Sequence, residues 1–158
     1  MGMTATDTRT PRLRIYREQA AASRAMNAFD SAVAETGLEP SLRELIKLRA
    51  SQINGCGYCI DMHSKDARRA GETEQRLYGL TAWREAPYYT PRERAALALT
   101  EAVTLIADGV PEDVYAEAER HFEPAELAAL IWNIVAINAW NRLAIATGDP
   151  VPGSYEPG

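Results

Sequence analysis

Two cysteines stand three residues apart in Cys56-Gly57-Tyr58-Cys59, and the chain has no others. A disulfide that staples a secreted domain closes a long loop, whereas a bond between these two would close a trivial one and add little stability. The spacing therefore points to thiol chemistry. Asn54-Gly55 lies just upstream, and both residues tolerate the left-handed conformation that ends helices, so a new helix is expected to open at Cys56. Unpaired N–H groups and the positive end of the helix dipole stabilise a thiolate there. Cysteines in such positions have pKa values of roughly 3.5–7.5 instead of about 8.5. His63 follows Cys59 by four residues and shares its helical stripe, where it can take the thiol proton or, as an imidazolium, hold the thiolate. Glu44 sits a few turns before the Asn54-Gly55 bend and His63 a comparable distance after it. An antiparallel hairpin would let the carboxylate orient His63 or relay its proton, as the third member of a triad does.

Each of these residues also has a plainer explanation. The cysteines can be two small buried hydrophobes. Cys56, Cys59 and His63 can be three zinc ligands, with His121, from a distant helix, as the one remaining histidine. Ser41-Leu42-Arg43-Glu44 has the form of a capping box, which would use the Glu44 carboxylate at a helix start. Asn133, Asn138 and Asn141, flanked by Trp132 and Trp140, read as satisfied polar groups and core aromatics, or alternatively as the lining of a thiol pocket. His121 reads as a favourable contact at a helix C-terminus, and Lys65, Asp66, Arg68 and Arg69 as a solvated face.

The elements that must hold these groups are helical throughout, with no convincing strand alternation. Apolar spacing predicts a helix from about Leu13 to Glu35, ended by Gly37 and Pro40, and a second from Ser41 towards Ile53. A third should run from near Cys56 to Arg69 or Ala70, with Gly71 as its terminator. A short helix is expected around Thr73 to Tyr78. Thr90-Pro91-Arg92-Glu93 carries a cap, a proline at the first helical position and a capping-box glutamate; its helix should reach Asp108-Gly109. Pro111 opens another helix to His121, and Pro124 the last, to about Thr147. The expected fold is all-α, a compact helical bundle, with a flexible tail over 1–11, one helical domain over 12–148 and an irregular tail over 149–158.

Composition narrows the function classes. Hydrophobic residues make up 46% and charged residues 25% of 158, the balance of a globular domain. A net charge of -5 without a basic stripe argues against nucleic acid as a partner. Asn133, Asn138, Asn141 and Arg142 interrupt the most apolar segment, so no membrane span is expected. Met1 to Thr10 lacks the apolar middle of a secretory signal, which suggests a cytoplasmic protein. So apolar a last helix calls for a neighbouring subunit, hence a homo-oligomer.

Glu44, the Cys56-x-x-Cys59 pair, His63 and the downstream run Ile137-Asn138-Ala139-Trp140-Asn141-Arg142 together resemble the alkylhydroperoxidase AhpD-like branch of the carboxymuconolactone decarboxylase superfamily. The resemblance extends from about Pro11 to Thr147. It implies an all-α homo-oligomer, commonly a trimer or hexamer, with thiol-dependent hydroperoxidase activity and no haem, flavin or metal cofactor. It further implies that Cys59 attacks a small organic hydroperoxide, that Cys56 resolves the sulfenic acid to a disulfide, and that His63 and Glu44 form the proton relay. Regeneration would use a thioredoxin-like or lipoyl-bearing electron donor. The best-known member of that branch has a histidine directly before its second cysteine, where this chain has Tyr58. Decarboxylase members of the superfamily do without the cysteine pair. Two other readings keep the fold: a helical oligomeric binding protein without catalysis, and a general protein-disulfide redox partner.

Overall fold

Proline at the first turn, where its fixed φ and missing N–H cost nothing, sets three of the helix starts: Pro40, Pro91 and Pro124. A computed structural model describes residues 9–158, and among these it contains α-helices and short 3-10 turns but no strand. The helices are α1 (Ile15–Glu18), α2 (Ala20–Ala34), α3 (Pro40–Asn54), α4 (Gly57–Arg69), α5 (Glu74–Tyr78), α6 (Pro91–Thr104), α7 (Glu112–His121) and α8 (Pro124–Thr147). The fold is all-α, as expected. The capping box at α6 forms in full: Thr90 Oγ1 accepts from the Glu93 N–H at 3.1 Å, and Glu93 Oε2 accepts from the Thr90 N–H at 2.8 Å.

Three local expectations are corrected. The segment from Leu13 to Glu35 is two helices, broken at Gln19 (φ -131°, ψ 67°). Packing on α8 accounts for the break. Tyr16 lies 6.1 Å from Trp140 and Phe29 5.8 Å from Trp132, centroid to centroid. At 1.5 Å per residue a straight helix would set Tyr16 and Phe29 about 20 Å apart, against only about 12 Å between the two tryptophans. Secondly, α3 starts at Pro40 with Glu39 as its N-cap, so Ser41 is already inside the first turn and no Ser41–Glu44 capping box exists. Thirdly, α6 stops at Thr104, and Ile106–Asp108 tightens into a 3-10 turn, a common ending for an α-helix.

The core is organised around α3, which packs on α4, α6 and α8. Leu45, Ile46 and Leu48 of α3, Leu97 and Leu99 of α6, and Leu130, Ile134 and Ile137 of α8 are all essentially inaccessible. By length and composition α8 meets the measure of a membrane-crossing helix, with a mean hydropathy of 1.2 in its most apolar window despite its asparagines. Here it serves as the core helix on which α2, α3 and α6 pack, and Asn133 and Asn141 lie fully inside.

Both ends of the described segment lie against the helices. The Arg12 N–H donates to the Thr147 carbonyl at 2.7 Å. Of the segment expected as an N-terminal tail, residues 1–8 lie outside the described residues. The C-terminal segment is irregular but strapped to α4: Lys65 Nζ donates to the Tyr155 carbonyl at 2.8 Å, and Tyr155 OH donates to Asp66 Oδ1 at 2.7 Å. Lys65 and Asp66 are therefore tied down and not a free solvated face. Replacing Thr90 with Ala removes one half of the α6 capping box and should cost about 1 kcal/mol. Urea unfolding would register this as a lower midpoint with an unchanged slope; an unchanged midpoint would contradict the role given to the cap.

Candidate functional site

The site begins with a chain reversal. α3 ends at Asn54, and Gly55 takes φ +70°, the left-handed conformation that glycine adopts without steric cost. The Cys56 N–H then reaches back to the Ser51 carbonyl at 3.0 Å, closing a Schellman-type ending. α4 starts at once, with Cys56 as its N-cap and Cys59 one turn on. The resulting antiparallel hairpin brings Glu44 of α3 against His63 of α4, with His63 Nδ1 2.8 Å from Glu44 Oε2. The Glu44 carboxylate thus serves His63 and not its own helix start.

A set of amides locks this reversal onto α8. Asn54 Nδ2 donates to Asn141 Oδ1 at 2.9 Å and to Asn138 Oδ1 at 3.0 Å. Asn141 Nδ2 donates to Ser51 Oγ at 3.1 Å, and Asn138 Nδ2 donates to Thr104 Oγ1 at 3.0 Å. Asn141 also lies beside the thiol pair, where it acts to lower both thiol pKa values, and the pair packs beside Ala50, Ile137 and Ala144. Sequence reasoning treated Asn141 as core filling or pocket lining. The signal that pointed further was its helical spacing from Asn138 on an otherwise apolar helix, together with Asn54 at the bend.

Both thiols are free and buried, at 1% exposure for Cys56 and 4% for Cys59. Their electrostatics are opposed. The Cys59 thiol hydrogen-bonds Cys56 and draws its pKa down to about 7; the N–H of Cys59, Asn141 and the N–H of Tyr58 add to this against the effect of burial. The Cys56 Sγ faces those N–H groups without closing a full capping bond. Cys59, as donor to Cys56 and in a buried position, is pushed far above the ordinary thiol range. The pair thus loses its first proton readily and holds its second, and the surrounding N–H groups favour the charge on Cys56. For Glu44, burial acts to raise the pKa, but the hydrogen bond and charge of His63, with Lys47 and Arg43, outweigh it and hold the carboxyl below its ordinary value. Tyr16 is raised to about 12 by burial, then by Asp149 and the cysteines, so it remains a neutral phenol beside them.

Two cavities flank the pair. One, of about 400 Å³, is lined by Cys59 and His63 together with Tyr16, Tyr58, Met62 and Trp140. The other, of about 410 Å³, opens on Cys56 between Gly55, Gly57 and Pro152. Tyr58 borders both and meets Tyr155 edge-on at 6.2 Å. The zinc reading gains no support from the geometry. Among the described residues the donor atoms that converge, within 4.8 Å, belong to Glu44, His63 and Asp66, and no cysteine is in that group. His121 is bonded to Glu117 at 3.0 Å, at the end of α7.

Carbamidomethylation mapped by mass spectrometry checks the charge assignment. Thiolate accumulates as pH rises, so the Cys56 labelling rate should rise through a midpoint near pH 7 and level off above it. Cys59 should label more slowly throughout, and Asn141→Ala, which removes a donor to the thiolate, should move the Cys56 midpoint upward. Preferential labelling of Cys59 at neutral pH would contradict the assignment.

The sequence profile of the carboxymuconolactone decarboxylase family matches residues 20–102. YdfG, an uncharacterised protein of Bacillus subtilis, is 47% identical over 116 residues, covering 73% of this chain and 79% of YdfG. YnjA, an uncharacterised Escherichia coli protein, is 33% identical over 117 residues, and the match spans 64% of YnjA. Among solved structures, a protein of unknown function from Agrobacterium tumefaciens, named as a candidate antioxidant defence protein of the AhpD type, superimposes with a TM-score of 0.84. It is 39% identical, over 94% of this chain and 99% of that one. An AhpD-core, peroxidase-related protein of Ralstonia eutropha, at 22% identity and a TM-score of 0.76, shares the fold. Profile, relatives and fold agree that the chain belongs to the carboxymuconolactone decarboxylase family, with an AhpD-like fold.

Proposed function

We propose that the protein is a thiol-dependent peroxidase that reduces small organic hydroperoxides through Cys56 and Cys59. The observation that carries this reading is a buried pair of free cysteines at a helix start, with Cys59 in a cavity beside a histidine held by a carboxylate. As hydroperoxide enters the cavity, the Cys59 proton passes to the neighbouring Cys56 thiolate. The Cys59 sulfur attacks the terminal peroxide oxygen, the O–O bond breaks, and Cys59 becomes a sulfenic acid. His63, oriented through Nδ1 by Glu44, supplies the proton that turns the leaving alkoxide into an alcohol. Cys56 then displaces the sulfenic hydroxyl, giving the Cys56–Cys59 disulfide and water. The two protein thiols have supplied two electrons to the peroxide, and no cofactor enters the scheme.

The cavity at Cys59 suits a small molecule, while the second pocket, which borders Cys56, is the side from which an external dithiol would approach the disulfide. A thioredoxin-like protein or a lipoyl group is the class of donor that would return the disulfide to two thiols by exchange. Such donors belong to a reducing compartment, in keeping with a cytoplasmic location. Trp132, Val135 and Ile145 of α8, with Leu105 and Ile106, are exposed and support a homo-oligomer, for which the family resemblance implies a trimer or hexamer.

Turnover of cumene hydroperoxide with dihydrolipoamide as reductant tests the proposal. Cys59→Ser should abolish turnover, and Cys56→Ser should leave one slow turnover per chain. Glu44→Gln should lower kcat by roughly 100-fold, the scale of general acid–base assistance. Full turnover by Cys59→Ser would overturn the assignment.

A further inference from the structure

The wall of the Cys59 cavity that the peroxidase reading does not use carries an unusual pair. Lys47 of α3 is 9% exposed, yet its ammonium has no hydrogen-bond acceptor in range among the described residues. Its ion pair is with Asp30 Oδ1 of α2, at 3.9 Å, too far for a hydrogen bond, and its charge also acts on the Glu44 carboxylate. Asp30 Oδ1 is itself buried and receives no hydrogen bond. Asp30 Oδ1 is thus a buried acceptor without a partner on a side chain otherwise 37% exposed, the Lys47 ammonium stands beside it, and both residues line the same cavity as Cys59.

The ligand chemistry follows from what satisfies both at once. A carboxylate would satisfy Lys47 but set a second negative oxygen against Asp30; an amine would do the reverse. A hydroxyl offers a lone pair to the ammonium and a proton to the carboxylate. With an N···O distance of about 2.8 Å and an O···O distance of about 2.7 Å, a tetrahedral hydroxyl oxygen spans about 4.5 Å between partners, so a shift of roughly half an ångström in either side chain admits it to the 3.9 Å gap. Ser23 and Asn27 add polar groups on the Asp30 side, and elsewhere the wall presents Tyr16, Tyr58, Trp140 and Met62, surfaces on which an aromatic ring packs favourably.

We infer that the cavity takes a hydroxyl-bearing aromatic compound, its ring among Tyr16, Tyr58 and Trp140 and its hydroxyl bridging Lys47 and Asp30. This deepens the proposed function by naming the substrate class, and it rests on that function only for the claim that the far end of the bound molecule meets Cys59.

Calorimetric titration of the reduced protein with p-cresol, 4-methylanisole and p-toluate tests the inference without any turnover. Wild type should bind p-cresol at least about tenfold more tightly than 4-methylanisole, whose oxygen has no proton to give Asp30, and more tightly than p-toluate. Lys47→Met and Asp30→Leu should each bring p-cresol and 4-methylanisole to within about twofold of one another, the hydrogen-bond term being lost. Circular dichroism checks that each variant is folded, and the wild-type ligand series decides the matter even where a variant is not. Equal affinity for p-cresol and 4-methylanisole, tighter binding of p-toluate, no binding of p-cresol, or a preference that survives in folded variants would each overturn the inference. A chain that prefers p-cresol yet consumes no hydroperoxide would leave this binding site standing and remove the peroxidase reading.

Discussion

The site depends on the reversal at Gly55. A left-handed residue there ends α3 and lets α4 begin with only Cys56 between, so the first free N–H groups of α4 fall beside Cys56. The same reversal makes α3 and α4 antiparallel neighbours, and this alone brings Glu44 within hydrogen-bonding distance of His63. A residue with a Cβ at Gly55 would meet no other atom within 4 Å, so the constraint is backbone conformation and not space. The left-handed form costs an ordinary L-residue about 1–2 kcal/mol. The Asn54, Asn138 and Asn141 amides then hold the hairpin to α8. Helix ending, helix start and acid–base pair are thus three consequences of one backbone conformation.

The second organising feature is the division of labour between the thiols. They lose a first proton readily and hold the second, but they open to different cavities. The negative charge rests on Cys56, where helix N–H groups and Asn141 support it, and the proton rests on Cys59, on the histidine side. In the family resemblance Cys59 attacks. The resting electrostatics fit that order because the thiolate next to Cys59 is its nearest base. An unpaired buried thiolate would be expensive; a thiolate fed by a neighbouring thiol, an amide and two N–H groups is held at much lower cost.

Much of this was legible from residue types and spacing. Thr90-Pro91-Arg92-Glu93 is a complete local signal, and the structure forms each part of it. Asn54-Gly55 and the cysteines after it were enough to set the thiols at a helix start. Glu44 was ambiguous because Ser41 made it look like a capping partner; Pro40, which takes the first helical position, settles the start one residue earlier and frees the carboxylate. The break at Gln19 carries no glycine or proline and comes from the spacing of Trp132 and Trp140, which only the folded α8 defines. Lys47 and Asp30 belong to different helices, and nothing in their own surroundings along the chain announces that they meet in one cavity wall. Short-range signals were readable; contacts between α2, α3 and α8 were not.

The central claim is that Cys56 and Cys59 form one redox unit. The most direct measurement is the intact mass of the reduced chain seconds after one equivalent of cumene hydroperoxide, followed by a peptide map. The account predicts the loss of two hydrogens per chain and a peptide that joins Cys56 to Cys59. An unchanged mass with both thiols still free would contradict it.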